Sequence, residues 1–507
     1  MGALIFFLQS FSPALVFEVV VFLLLFYFYF FIFCSNKHGQ EPPGPKPLPL
    51  IGNLLQLDLK HLDKTFVELS KRYGSVFTVY MGPSKVVVLA GYQTVKEAFV
   101  NYAEEFGDRE VPPVVKDANL DHGIAWANGD SWKEMRRFAL ANLKDFGMGK
   151  KACEDKIIEE CQNLIQEFKK FKGEPFEMTQ LMNYTISNII CSMVFGNRFD
   201  YDDPEFQMIV NETIKGFVLF ESPAVKLYNF FPRIGKLLIS ARKQTVKIFE
   251  ATNKQHLKLI NCLRETLNPQ MCRGVADAFM VRQQKVNLKE SGLPNSLYHD
   301  ANLLITVMNL FTGGTETSSS TLRWALLFMI KHPKIQDKVQ EELNRVIGSR
   351  QAQLRDRKNL PFTNAVIHET QRLANIVPLA LSHKTSQDVT FQGHFIEKGT
   401  TVIPLLTSVL HDEHEWEKPE SFHPAHFLDK DGNFLKRDAF MVFSAGRRMC
   451  PGESLAKAEL FIFFATLLQH FRFTPPPGVS EEDLDQTPTG GLILNPPPQK
   501  VCAVSQM

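Results

Sequence analysis

Three small groups of residues have types and spacings that suit chemistry. Near the end of the chain, Phe443, Gly446, Arg448, Cys450 and Gly452 in FSAGRRMCPG form the pattern F-x-x-G-x-R-x-C-x-G. Five fixed matches by chance in one chain this long have a probability on the order of 10⁻⁴ at residue frequencies of a few per cent. A free buried cysteine is ordinarily an inert packing residue. That reading holds for the other seven, scattered at 34, 153, 161, 191, 262, 272 and 502, but the pattern outweighs it at Cys450. The second group is Gly313-Gly314-Thr315-Glu316-Thr317, in the middle of a long apolar helical stretch. Each glycine there costs about 1 kcal/mol against alanine, and hydroxyls compete for backbone bonds. Close helix packing accounts for a pair of glycines alone. A carboxylate and an alcohol side by side at the weak point make a proton-delivery groove the better reading. The third group, Glu369 and Arg372, lies at i and i+3 on one helix face, where arginine takes a carboxylate bidentately. Apolar flanks at Ala365, Val366, Ile367, Leu373 and Ile376 make it a partly buried structural clamp rather than a catalytic dyad.

Helical periodicity supplies most of the elements that must position these groups. The pattern predicts helices over 61–73, 92–101, 131–142, 152–171, 177–195, 204–220, 234–265, 296–331, 333–347 and 362–376. Short strands are expected near 76–91, at 389–396 and 401–406, and as a C-terminal pair near 471–474 and 492–503. The fold class is mainly α with small β-sheets (α+β). The long helix is capped at Asn295 or Ser296 and stopped at His332-Pro333. The 507 residues contain no Gly/Ser-rich linker, and 56 basic against 55 acidic side chains give a net charge of +1. One large domain follows, with nothing to suggest nucleic-acid binding. No C-x-x-C occurs, which favours a reducing compartment.

The N-terminus departs from this pattern. Phe11 to Cys34 is an apolar run of 24 residues with one carboxylate, Glu18, a length that suits a bilayer core. Residues 1 to 36 hold no Lys or Arg, unlike a cleaved signal peptide. A membrane anchor over 1–36 is therefore expected, with Lys37 and Lys46 leaving the main body cytoplasmic. A proline-rich strap over 37–53 follows; Leu48, Leu50 and Ile51 offer apolar side chains for docking it.

On F-x-x-G-x-R-x-C-x-G, Glu316-Thr317 and Glu369-x-x-Arg372, the chain resembles the cytochrome P-450 superfamily of haem-thiolate monooxygenases, over residues 40–505 and the anchor. FVNYAEEFGDR, DSWKEMRRF and PESFHPAHF resemble the second family of microsomal enzymes, most of all its K subfamily of fish-liver proteins. The resemblance implies a haem-binding catalytic domain over 54–507 with haem b ligated by the Cys450 thiolate. It implies propionate contacts from Arg109, Trp132, Arg136, His383 and Arg448, a loop shaped by Gly446 and Gly452 for close approach to the porphyrin, and a sulfur shielded by Phe443. Glu316 and Thr317 would activate oxygen. His426 stands where many members complete the clamp with arginine. A mostly apolar pocket is implied at Phe217, Phe220, Leu310, Phe311, Val377, Leu381 and Leu492, with Asn309 as the polar group that orients substrate.

The implied reaction inserts one oxygen atom of O2 into lipophilic substrates, fatty acids and foreign compounds. Electrons come from NADPH through a reductase, since no flavin or nicotinamide fingerprint is present, with cytochrome b5 as a further partner. The implied location is the endoplasmic reticulum membrane, catalytic domain facing the cytosol. A haem-thiolate isomerase or dehydratase acting on peroxides without a reductase is the alternative; the acid-alcohol pair argues against it, and a non-catalytic haem sensor or lipid carrier is disfavoured likewise.

Overall fold

The computed structural model describes residues 13–34, 41–289 and 296–506; Lys37 and the expected cap Asn295 lie outside them. Pro13–Cys34 is a helix of 22 residues (α1), with side chains described at Leu15 and from Phe17 to Phe26, most of them exposed. Among the described residues no helix is long and apolar enough to cross a membrane. The strap is docked by polar geometry rather than by leucines. Asn53 donates to the carbonyls of Pro45 and Lys46 and accepts the Tyr80 amide at 2.7 Å, whereas Leu48 and Leu50 are exposed.

The helical body is built around one large apolar core. Gly129–Asp145 (α2), Thr179–Val194 (α3), Asp300–Lys331 (α4), Pro361–Ala374 (α5) and Glu453–His470 (α6) all contribute to it. The 32 residues of α4 span about 48 Å at 1.5 Å per residue. Its cap is His299, whose Nδ1 accepts the Asn302 amide at 3.3 Å, and not residue 295 or 296. At the other end His332 adopts ψ 67, as a residue before proline must leave the helical region.

The glycines in the middle of α4 do two different jobs. A Cβ on Gly314 would meet Ile190 Cδ1 of α3 at 2.4 Å, so this glycine is a helix-packing contact. A Cβ on Gly313 would meet nothing within 4 Å, because that position opens on the central cavity. The hydroxyl run is fully engaged. Thr315, Thr317 and Thr321 each donate to the carbonyl four residues earlier at 2.8 Å, while Ser318 donates to Glu459 Oε2 at 2.6 Å.

Helix α5 carries the clamp. Arg372 meets Glu369 through Nε at 2.8 Å and Nη2 at 2.7 Å, and both side chains are wholly buried. Its remaining donors reach the carbonyls of Leu410, Pro419 and Ser421. His426 Nε2 accepts the Lys418 amide at 3.2 Å, so the ring proton is on Nδ1, which donates to Glu369 at 3.1 Å. A buried ion pair is tolerated only when satisfied in this way. The clamp thereby fixes the segment 410–426 against the core.

A five-stranded sheet, with strands in the order 76–81, 84–90, 401–405, 383–384 and 108–109, flanks the helices. Val76–Met81 (β1) and Ser84–Ala90 (β2) form a hairpin, and β2 runs parallel to Thr401–Leu405 (β6). At the far edge Asp108–Arg109 (β3) pairs with His383–Lys384 (β5) so that Arg109 lies opposite His383.

Glu459 of α6 is a fully buried carboxyl, pushed up from its ordinary 4.5 to about 8 by burial against the opposing Ser318 bond. A carboxyl raised in this way destabilises the native state progressively as pH climbs from about 4.5 toward 8. Glu459→Gln keeps an acceptor for Ser318 and removes that dependence. Denaturant midpoints should favour the variant more at pH 8 than at pH 6; a pH-independent difference would contradict the assignment.

Candidate functional site

Cys450 closes its loop through its own amide, which donates to the Phe443 carbonyl at 3.0 Å. Ser444 and Gly446 take left-handed backbone, with φ 62 and 71. A Cβ on Gly446 would meet the Phe99 carbonyl oxygen at 1.9 Å. The packing of the loop on 97–101 therefore requires glycine at 446. Gly452 has an ordinary φ of −89 and borders the cavity beside Cys450, Pro451 and Phe443. The Cys450 thiol is accessible, yet the surface it exposes is the wall of an internal cavity. Burial pushes the thiol up, against the amides of Gly452 and Glu453 and the charge of Arg136. Those amides belong to the start of α6, whose dipole favours a thiolate.

Three guanidinium groups converge beside the loop. Arg448 donates through Nε to the Gly107 carbonyl and through Nη2 to Asn128 Oδ1, both at 2.8 Å. Arg109 donates to the carbonyls of Leu381 at 2.7 Å and Arg448 at 3.3 Å, and Arg136 to that of Met449 at 2.6 Å. Burial and the charges of its fellows lower Arg448 to about 8 and Arg109 to about 9. Behind them Trp132 stacks under Arg448, 3.6 Å from ring centroid to guanidinium carbon. Arg109 Nε, Arg448 Nη1, Trp132 Nε1 and His383 Nε2 are buried without a partner. His383 gives its Nδ1 proton to the Phe106 carbonyl at 2.7 Å, and burial keeps the ring neutral well below its ordinary range. Buried donors are normally paired. Gathered cations with open donors on Arg109, Arg448 and Trp132 suit an anion in the gap.

The opposite wall is α4. Asn309, Leu310, Gly313 and Thr317 border the cavity, with Phe217, Phe220, Val377, Leu381 and Leu492 around them. The space is about 400 Å³. Phe311, expected there, is turned away into the core and stacks edge-on to His256 at 5.3 Å, because its direction on the helix is opposite to that of Gly313. Glu316 also leaves the cavity wall. It is 4 % exposed, its Oε1 accepts from Asn495 at 2.9 Å, its Oε2 is unpartnered, and burial raises it. Asn309 Oδ1 accepts the amides of Ile124 and Ala125 at 3.0 and 3.1 Å, which leaves only its Nδ2 for anything in the cavity. Sequence reasoning missed Asn128, which ties Arg109 to Arg448, and Asn495; a lone asparagine in a loop gives no periodic signal.

The sequence profile described as Cytochrome P450 matches residues 42–503. The chain belongs to the cytochrome P450 family. It is 57% identical over 500 residues to Cytochrome P450 2K1 of Oncorhynchus mykiss, covering 99% of each chain. It is 54% identical over 459 residues to Cytochrome P450 2K6 of Danio rerio, covering 90% of each. Cytochrome P450 2B19 of Mus musculus is 42% identical over 463 residues, 91% of this chain and 93% of its own. As a member of this family the P450 is a haem-thiolate monooxygenase, served by a reductase and acting on small lipophilic molecules. The residues present fit haem. An apolar cavity ends at a cysteine, and the unmatched donors beside it suit the propionates.

Trp132→Phe keeps the ring under Arg448 and removes one unmatched donor. The haem-free chain should unfold at an unchanged denaturant midpoint, while haem transfer to an apoprotein acceptor speeds up about tenfold, as expected for a lost bond to a charged group. An unchanged transfer rate would remove Trp132 from the cradle.

Proposed function

We propose that the Cys450 thiolate would hold the iron of haem b in this monooxygenase and that Arg109, Trp132, Arg136, Arg448 and His383, whose neutral ring would take up a proton at Nε2 once an anion lies beside it, would hold its propionates. The observation that carries this reading is the meeting, in one apolar cavity, of Cys450, the unmatched cationic cradle and Thr317 on the facing helix. Haem bound there supplies the cleavage of dioxygen, one oxygen atom entering substrate and the other leaving as water, for two electrons and two protons. Phe443 covers the cysteine side, and the amides of Gly452 and Glu453 stabilise the thiolate. Thr317 gives up its bond to the Gly313 carbonyl to donate into the gap that Gly313 leaves open. Glu316, held as an acid by burial, replenishes the proton from its free oxygen. Glu369, Arg372 and His426 hold the framework.

Medium-chain fatty acids and lipophilic foreign compounds suit the apolar wall of Phe217, Phe220, Leu310, Val377, Leu381 and Leu492. Asn309 Nδ2 is a donor for an oxygen of such a molecule. Electrons derive from NADPH through the reductase, with cytochrome b5 as a second donor, at a face that includes Arg137, Lys144, Lys150, Lys151, Arg447 and Lys457. We assign residues 1–36 to a membrane anchor, 37–53 to the strap and 54–507 to the catalytic domain, on the cytosolic side of the endoplasmic reticulum. Exposed Leu48, Leu50 and Leu55 of the strap region and Ile234, Leu237 and Leu238 of a short helix support a lipid-facing side. Phe231, which caps that helix, packs against Gly82, and the adjoining Met81 bridges to Gly52 of the strap.

In Thr317→Ala, reduction by the reductase and oxygen binding should persist while the share of NADPH electrons released as peroxide rises several-fold. Unchanged coupling of electrons to oxygenated product would remove Thr317 from the mechanism.

A further inference from the structure

Glu316 is held from outside α4 by a single side chain, and that side chain sits on a loop that also touches the cavity. Asn495 Nδ2 donates to Glu316 Oε1 at 2.9 Å, and Asn495 Oδ1 accepts from Arg323 Nη2. A carboxylate only accepts and a guanidinium only donates, so the amide orientation is dictated by its partners. The amide thus stands between acid and base and prevents a direct ion pair.

The charge on Arg323 is met elsewhere. Its Nη1 donates to Thr179 Oγ1 at 3.0 Å, and that hydroxyl donates in turn to Glu177, which also acts on Arg323 through space. Glu177 and Arg323 are the charged groups that bear on this site, from β4 (Phe176–Glu177) and α4 itself. With Arg323 balanced by Glu177, the Glu316 carboxyl is free to take up and release a proton.

The loop carrying Asn495 is rigidly placed. Thr489 and Asn495 exchange backbone bonds at 2.8 and 2.7 Å, and the Leu494 carbonyl accepts from Trp324 Nε1 at 2.9 Å and Ser320 Oγ at 3.2 Å. The Leu494 amide donates to the Ile376 carbonyl at 2.8 Å, next to Val377 of the cavity wall. Leu492 and Ile493 border the cavity two to three residues before Asn495. One short loop therefore joins substrate contact to the acid.

We propose that Asn495 is a positioning residue for Glu316: it holds Oε1, leaves Oε2 as the exchanging oxygen, and links that carboxyl to the loop that touches substrate. The proposal rests on the proton-donor role given to Glu316 above. Its chemistry is a proton leaving Oε2 for the Thr317 side and returning from water, with no change of oxidation state in the protein.

The test uses the full-length holoenzyme with reductase, comparing wild type with Asn495→Leu, Asn495→Ser and Glu316→Gln. Serine keeps the backbone bridge and cannot span both partners, so it serves if leucine disturbs folding. The protonated-carboxyl infrared band that Glu316→Gln abolishes reports the acid directly. Losing a donor to the carboxylate disfavours its charged form, so in both Asn495 variants the band should titrate about one pH unit higher, a tenfold change in proton affinity. The peroxide share at pH 7 should rise at least about threefold, and the double variant with Glu316→Gln should be no worse than Glu316→Gln alone. An unshifted band in a folded Asn495 variant overturns the positioning role, whatever Glu316→Gln does. If Glu316→Gln leaves the peroxide share unchanged, the donor role of Glu316 falls instead, a separate outcome.

Discussion

Burying like charges beside one another is among the costliest arrangements available to a protein, and this P450 does so with Arg109, Arg136 and Arg448. Desolvation and mutual repulsion both oppose it. The arrangement persists because each guanidinium is tethered to backbone carbonyls by bonds that also shape the cysteine loop. Arg136 reaches the carbonyl next to Cys450, and Arg109 that of Arg448. The cradle and the loop are therefore one unit. On the reading proposed above, an anionic ligand would fill the donors left open, and haem binding and loop order would be coupled.

Much of the framework follows from that need. The edge pairing of β3 with β5 sets Arg109 opposite His383, although 274 positions separate them in the chain. The clamp of Glu369, Arg372 and His426 fixes the segment that leads toward the cysteine loop. Across the cavity, α4 presents Gly313 and Thr317 while Gly314 seats it on α3. The weak point in that helix is a site of two packing decisions rather than a defect.

The sequence was legible where periodicity or a fixed spacing reported the physics. The amphipathic helix 204–220 matches its observed bounds, and Glu369 and Arg372 pair on one helix face as their spacing implied. Helix α6 was not legible: it is apolar on every side, ESLAKAELFIFFATLLQH, so no period marks it. The segment 234–265 reads as one helix but is two, divided at Ile239, which is extended. The resemblance implied Phe311 in the pocket and Glu316 as an acid beside Thr317, yet a helix turns neighbours about 100° apart, and neither side chain borders the cavity. Asn128 and Asn495 act through side-chain amides between distant segments, a kind of contact that leaves no local pattern.

On the reading proposed above, Cys450 binds haem iron through its sulfur while the cradle holds the propionates by separate bonds. Cys450→Ser isolates the two. The ferrous carbon monoxide spectrum of the variant, taken with haem retained, should lose the thiolate signature seen in the wild type. Retention of that signature in the serine variant would contradict the account.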